Sequence, residues 1–271
     1  MSGQVKTAVI PVAGNGSRIR PLSLITPKEM LATPFGPIIE LVTNELIDAG
    51  IERIIYVTKP GKELIQNYLL NAQLHNNPNG KKASLEFVNQ NDVPGNGGAI
   101  LTAVYEKELR DPFIVVWGDE IFIQNNSIGR AAELINAFAE VKEPCIVLTE
   151  VKQEDVSKCG MARTQPHPSE SSMFEITDLI EKPKEWNDTK NYASVGGYVI
   201  TSELVTYLSK AQKSKDGEIY LSQAISDYLG NGKKLVGTLT KCEWHETGSI
   251  DGYIAAFEAL AARRREGILN T

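Results

Sequence analysis

The chain has 271 residues, 42% hydrophobic and 23% charged, with a formal net charge of −6 at pH 7. That is enough chain, in ordinary globular proportions, to bury a full α/β core, and the acidic balance argues against a nucleic-acid surface, which shows as a basic excess. No apolar run of about 18 residues offers a membrane span, and the start of the chain lacks a basic segment, apolar core and cleavage site, so no membrane and a cytoplasmic location are expected. Three cysteines, Cys145, Cys159 and Cys242, lack CxxC spacing and read as reduced thiols, neither a disulfide framework nor a zinc site.

In chain order, residues 8–12 read as a buried strand that breaks into Ala13-Gly14-Asn15-Gly16-Ser17-Arg18. The glycines let main-chain N–H groups come close to an anion, and the Arg18 guanidinium can fork two donors onto phosphate oxygens. Lys28, after Pro27, adds a second cation. Spacing excludes two other phosphate loops. The dinucleotide fingerprint needs a third glycine where Ile19 stands, and the P-loop needs Gly-Lys-Ser/Thr where Ile19-Arg20 stand. An amphipathic helix is predicted over 37–49, with Ile38, Leu41, Val42, Leu46 and Ile47 on one face and Gly50 as its stop. Strands over 53–58, 85–88 and 113–117 then alternate with helices over 61–71 and 96–106, with a polar loop over 76–82. This alternation predicts a mainly parallel sheet wrapped by helices.

The segment from Ala13 to Leu31 resembles the signature of the sugar-1-phosphate nucleotidylyltransferases, A-G-x-G-[ST]-R followed by Pro-Lys. Within that superfamily Pro27-Lys28-Glu29-Met30-Leu31 is most similar to the bacterial UTP–glucose-1-phosphate uridylyltransferases. The resemblance implies a Rossmann-like three-layer α/β fold with a mixed, mainly parallel central sheet. It also implies that Ala13, Gly14, Asn15, Gly16 and Ser17 bind the nucleotide, with Arg18 and Lys28 as catalytic cations.

Later motifs extend the resemblance over nearly the whole chain. Gln90 stands at the carboxyl end of a strand, where a glutamine offers a carbonyl and an amide to the edge of a uracil or thymine. By resemblance Gln90 contacts the base, and Gly95 and Gly97 keep side chains away from base and ribose. The family has Gly-Leu-Gly-His there; this chain has Gly95-Asn96-Gly97-Gly98. Gly118-Asp119-Glu120-Ile121-Phe122 has the form found in thymidylyltransferases, and Asp119 matches the metal-binding aspartate, with Glu120 facing solvent or standing behind it. A carboxylate beside phosphates makes sense with a hard cation, here Mg2+, between them.

After a strand over 144–151, Lys158-Cys159-Gly160-Met161-Ala162 resembles the family's Tyr-Gly-[IV], with Gly160 close to the sugar and Cys159 in place of the tyrosine. A polar loop over 165–172 and a strand over 174–180 lead to Glu181-Lys182-Pro183. The resemblance assigns Glu181 to sugar hydroxyls and Lys182 to the sugar phosphate. Gly196 and Gly197 interrupt a strand over 193–200, a sign of close approach by a ligand or backbone, and the resemblance to the family's Val-Gly-x-Tyr places Gly197 or Gly196 under the hexose. Residues 217–222 resemble a helix start bordering the sugar pocket. Trp244-His245-Glu246-Thr247-Gly248-Ser249 matches the family's Asp-x-Gly, with Glu246 at the aspartate position as the second metal ligand and Ser249 as a helix cap. Arg263, Arg264 and Arg265 read as a solvated helix end.

The expected organisation is one domain over 1–271, with a nucleotide-binding half over about 1–140 and a sugar-binding half over about 141–271 sharing one cleft. The expected reaction joins an NTP to a hexose 1-phosphate and releases pyrophosphate, UTP and glucose 1-phosphate being first choice. dTTP is the alternative nucleotide. A non-catalytic sugar-nucleotide-binding module is the alternative class. A homo-oligomer, dimer or tetramer, is the expected assembly.

Overall fold

The computed structural model describes residues 4–72, 80–90, 93–124, 128–168 and 172–267. Of the two polar loops expected from sequence, 76–79 and 169–171 lie outside the described residues. The elements run β1 (Thr7–Pro11), β2 (Ala32–Thr33), β3 (Gly36–Pro37), α1 (Ile38–Asp48), β4 (Arg53–Thr58), α2 (Glu63–Ala72), β5 (Ser84–Asn89), α3 (Asn96–Glu106), β6 (Phe113–Val115), β7 (Glu120–Ile123) and α4 (Arg130–Val141). They continue with β8 (Cys145–Glu150), β9 (Gly160–Pro166), β10 (Met173–Glu181), β11 (Tyr192–Ile200), α5 (Ser202–Lys210), α6 (Leu221–Gly230), β12 (Val236–Leu239), β13 (Glu243–Glu246) and α7 (Ile250–Arg265). Among the described residues no helix is long and apolar enough to cross a membrane.

The fold is mixed α/β, as expected. The chain gathers into two compact units that alternate along the sequence: Lys6–Asn89, Val116–Ala132 and Lys241–Thr271 form one, and Met1–Val5, Gln90–Val115 and Glu133–Thr240 form the other.

In the first unit β5, β4 and β1 pair in parallel. Ala8, Val9, Ile10 and all of Ile54 to Val57 are buried, because a parallel strand covered on both faces must be apolar along its whole length. Helix α1 packs through Ile38, Ile39 and Leu46, each fully buried, and its Thr43 hydroxyl shares a 2.7 Å hydrogen bond with the Tyr56 phenol of β4. The expected strand over 113–117 stops at Val115; the chain turns through Trp117-Gly118-Asp119 before β7 pairs antiparallel with β13.

In the second unit the pairing is mostly antiparallel. From β11 it runs through β8, β12, β10 and β9 and returns to β11, and only β12 with β8 is parallel. Parallel character is therefore concentrated in the glycine-loop unit. One edge of β11 changes partner along its length: Ala193 and Ser194 face β9, whereas Tyr198 to Ile200 face β6. Gly196 and Gly197 sit at the change, where the register with β8 slips between Val195 and Tyr198. The two glycines thus form a bulge, which bends a strand and lets it serve two neighbours. The sheet itself thus supplies one close backbone approach at these glycines.

Candidate functional site

In the first unit the glycine loop begins where β1 stops pairing. The Val12 amide still donates to Val57 O at 2.8 Å, after which the chain leaves the sheet. Gly16 has φ +64°, a left-handed turn that a side chain disfavours, and Ser23 Oγ donates to its carbonyl at 2.6 Å. Fully buried Ile19 anchors the short turn Ser17–Ile19, and Ala13 is also buried, while Gly14, Asn15, Ser17 and Arg18 stay exposed. Beside the loop lies a cavity of about 240 Å3, lined by Gly14 and Asn15, by Ser23 to Lys28 and by Lys59 to Lys62. Three lysines and no carboxylate line it, and the Lys59 ammonium donates to the Asn15 side chain.

Lys28 lies in a single 3-10 turn, Lys28–Met30, and its ammonium is paired with Asp119 Oδ2. Burial pulls the ammonium down, but the charge of Asp119 and then of Glu29, with the Asp119 hydrogen bond, outweighs it and holds Lys28 above the ordinary lysine value. Asp119 is placed by backbone. The Thr247 amide and hydroxyl both donate to its carbonyl, at 3.0 and 2.7 Å, and Thr247 is fully buried. Gly118 must be glycine, since a Cβ there would stand 2.8 Å from Val12 Cγ1. Glu120 accepts from the Trp244 indole at 3.2 Å, so it is held at the β7–β13 pair.

That pair sets Glu246 opposite Glu120. Glu246 Oε2 accepts from Ser249 Oγ at 2.9 Å, and the same Oγ caps α7 by accepting from the Gly252 amide at 3.2 Å. Its other oxygen, Oε1, is buried and lies 3.1 Å from an Arg18 terminal nitrogen, yet no hydrogen bond is aimed at it. A Cβ at Gly248 would meet Glu246 Oε1 at 2.5 Å, Asp119 Oδ2 at 2.9 Å and the Arg18 guanidinium at 3.0 Å. Three groups named from sequence, Arg18, Asp119 and Glu246, therefore converge on the space where residue 248 has no side chain, and Lys28 joins them through its pair with Asp119.

The two carboxylates suit a hard divalent cation. Among the described residues no cluster of three His, Cys, Asp or Glu exists, so a metal there would take its other ligands from phosphate oxygens and water, the usual habit of Mg2+. Glu246 Oε1, which is ion-paired with Arg18 but accepts no hydrogen bond, is the atom that most fits that use.

In the second unit the Gln90 amide nitrogen donates to Val93 O at 2.9 Å and to Gly95 O at 3.0 Å. The expectation of a carbonyl and an amide both offered to a base is thereby narrowed, because the amide is spent on the loop and a carbonyl acceptor is what remains. A Cβ at Gly95 (φ +93°) would meet Ile219 O at 2.4 Å, and one at Gly97 would meet Ile219 and Leu208 within 2.9 Å. Close packing against Ile219 is by itself enough to require both glycines. Asn96, where the resemblance differs, accepts from the Leu221 amide at 2.9 Å and so caps α6.

Gly160, Glu181 and Lys182 are also brought together. Gly160 opens β9 between Glu181 of β10 and Ser194 of β11, and Glu181 Oε2 lies 3.2 Å from where its Cβ would be. Lys182 has φ +45°, with its amide donating to Cys159 O at 3.0 Å. Its side chain is 61% exposed, with the ammonium 3.9 Å from Glu181 Oε1. A lysine held left-handed before a proline is a strained residue, and such strain gathers at ligand sites.

Sequence reasoning missed Thr247, Ser23 and the buried pair of Lys62 with Glu29. Only Glu29 carried a signal: a carboxylate next to the apolar Met30-Leu31 needs a buried partner.

Residues 7–263 match the family model described as nucleotidyl transferase. Over 241 residues the chain is 33% identical to a UTP–glucose-1-phosphate uridylyltransferase of Staphylococcus epidermidis, an alignment covering 82% of this chain and 81% of that protein. A UDP-glucose pyrophosphorylase solved in complex with UDP-glucose is similar with a TM-score of 0.85 and 27% identity, covering 96% of this chain and 99% of that one. A UTP-bound UGPase of Acinetobacter baumannii is similar with a TM-score of 0.81 and 26% identity, covering 98% and 99%.

Proposed function

Because the chain belongs to the nucleotidyl transferase family, and within it to the sugar-1-phosphate nucleotidylyltransferases, we propose that it transfers UMP from UTP to glucose 1-phosphate, forming UDP-glucose and pyrophosphate. The broader statement, an enzyme that moves a nucleotidyl group onto a sugar 1-phosphate, rests on membership, and it sets aside the non-catalytic module.

The observation that supports nucleotidyl transfer at this site is the convergence of Arg18, Asp119 and Glu246 at Gly248, with Lys28 paired to Asp119, beside a lysine-lined cavity. An oxygen of the sugar phosphate forms the new bond to the α-phosphorus, and the bond to the pyrophosphate oxygen breaks opposite it. The electron pair leaves with pyrophosphate, so no protein nucleophile is needed, and the protein's work is positioning and charge neutralisation. Lys28 exchanges Asp119 for the reacting phosphate, and Arg18 exchanges Glu246 for the departing oxygens. A divalent cation such as Mg2+, held by Asp119 and Glu246, supplies the positive charge that a triphosphate needs on binding. Lys182 holds the sugar phosphate on its flexible stem, and Glu181 accepts from sugar hydroxyls.

Gln90 as a carbonyl acceptor meets the N3–H edge, which uracil and thymine share. The Gly118-Asp119-Glu120-Ile121-Phe122 segment therefore keeps dTTP as the second reading. Pyrophosphate release with a panel of NTPs and sugar 1-phosphates tests both. The fastest release is expected for UTP with glucose 1-phosphate. A preference for dTTP would replace the nucleotide assignment, and no release from any pair would overturn the function.

A further inference from the structure

Lys62 stands between the exposed turn Lys59-Pro60-Gly61 and the start of α2, yet it is only 7% exposed. Its ammonium makes three contacts, to Val12 O at 2.5 Å, Glu29 Oε1 at 3.0 Å and Glu29 Oε2 at 2.9 Å. The ammonium is thus held between one carbonyl and both oxygens of one carboxylate. Glu29 is 1% exposed. The acceptors belong to the two segments that carry the reacting cations: Val12 is the last residue before the glycine loop, and Glu29 directly follows Lys28.

We propose that the buried Lys62–Glu29 pair is a positioning device, which ties the entrance of the glycine loop and the Lys28 turn to the start of α2. The proposal rests on the phosphate-handling role argued above for those two segments. Among the described residues no hydrogen bond or ion pair joins either one to Asp119 or Glu246. The pair acts through the backbone it holds. Met30 N donates to Pro27 O at 2.8 Å and Leu31 N to Lys28 O at 3.2 Å, so fixing Glu29 fixes the single turn on which Lys28 stands.

Stability does not explain the pair. Burial pushes the Glu29 carboxyl up and the Lys62 ammonium down, against the pull of each on the other. Two charges taken out of water are often replaced by apolar residues of similar size at no cost in stability. What an apolar pair cannot do is hold a carbonyl and a carboxylate in one place with directed bonds. The rival role for Lys62, a phosphate ligand in the neighbouring cavity that it lines, would require the ammonium to let go of Val12 O and the Glu29 carboxylate.

The test uses the full chain and four variants: Lys62→Met, Glu29→Gln, Glu29→Leu and the double Glu29→Leu/Lys62→Met. Amide hydrogen exchange over residues 13–19 and 27–31 is read together with the melting temperature and steady-state kinetics. The double variant is expected to melt close to the wild type, exchange at least about tenfold faster in those two segments, and leave β4 unchanged. The kcat/KM for NTP should fall by about tenfold or more, by a similar factor in each single and in the double, since residues acting as one unit are non-additive. Wild-type exchange and kinetics in the double variant would overturn the proposal. So would a raised KM for NTP in Lys62→Met with none in Glu29→Gln, which would make Lys62 a phosphate ligand. Exchange is read without turnover, so an inactive wild type would overturn the proposed reaction and leave the exchange result to decide the clamp.

Discussion

Lys28 and Lys182 stand in mirror-image triplets, Pro27-Lys28-Glu29 in one unit and Glu181-Lys182-Pro183 in the other. The same three residue types lead to opposite environments. Lys28 has a side chain 16% exposed, bonded to Asp119, while its neighbour Glu29 is buried and claimed by Lys62. Lys182 is 61% exposed, and its neighbour Glu181, at 57%, is a loose 3.9 Å partner. The order explains much of this. Proline before Lys28 begins a 3-10 turn that folds the glutamate inward, whereas proline after Lys182 ends a strand with the lysine in a left-handed conformation. A buried cation needs a carboxylate until phosphate replaces it, and an exposed one needs nothing but a ligand worth ordering its stem for. Positioned charge on one side and adaptable capture on the other suit a reaction centre and an incoming substrate respectively.

The largest effect is expected from crowding the positioned side. Gly248→Ala puts a methyl group between Glu246, Asp119 and Arg18, and misplacing such groups by about 1 Å costs on the order of 100-fold in rate. Turnover should fall by that factor with the melting temperature little changed; wild-type kcat would remove the convergence at Gly248 from the mechanism. Lys28→Ala should lower kcat by roughly 100-fold, the usual cost of one charge-stabilising donor, with a smaller change in either KM. Unchanged turnover would strike Lys28 from the reacting groups. Lys182→Ala should instead raise KM for the sugar phosphate by about tenfold to over a hundredfold, from the loss of roughly 1.5–3 kcal/mol. Equal weakening for NTP and sugar phosphate would erase the contrast between the two lysines.

The smallest effect is on stability. Lys28 is raised above the ordinary value of 10.5, so in chelator its pair with Asp119 stabilises the fold fully below that value and loses the contribution as pH rises through the raised one. The unfolding free energies of wild type and Lys28→Met should therefore keep a constant gap from about pH 7 to 9 and close above 10.5. A gap that widened with rising pH would contradict the sign.

What sequence could show tracks how local its cause is. The strand Arg53–Thr58 and the helix Asn96–Glu106 carry their own patterning and were legible residue by residue. The glycine loop and the carboxylate of Asp119 were legible as chemistry, because glycine, guanidinium and carboxylate have few substitutes for phosphate work. The pairing of β7 with β13 was not, since it joins residues more than a hundred positions apart over four-residue strands with no signature of their own. Thr247 was invisible for the same reason: its value lies in reaching the Asp119 carbonyl. Gly95 and Gly97 show the opposite failure. Their need for close approach was legible, but the approaching group, Ile219, could not be read from the residues around them.

That last contact has a consequence for how such a chain can change. Gln90 grips the carbonyls of Val93 and Gly95, the Ile219 amide donates to Pro94 O at 3.0 Å, the Gly97 amide donates to Ile219 O at 2.9 Å, and Asn96 caps α6. Five consecutive residues are thus each fastened to something outside their own peptide bonds. An insertion or deletion among them would unseat a helix along with the loop, so this stretch is closed to drift in length. With Gln90 reading the base as proposed, a change of nucleotide preference at this stretch comes from exchanging side chains in place, beginning at Gln90.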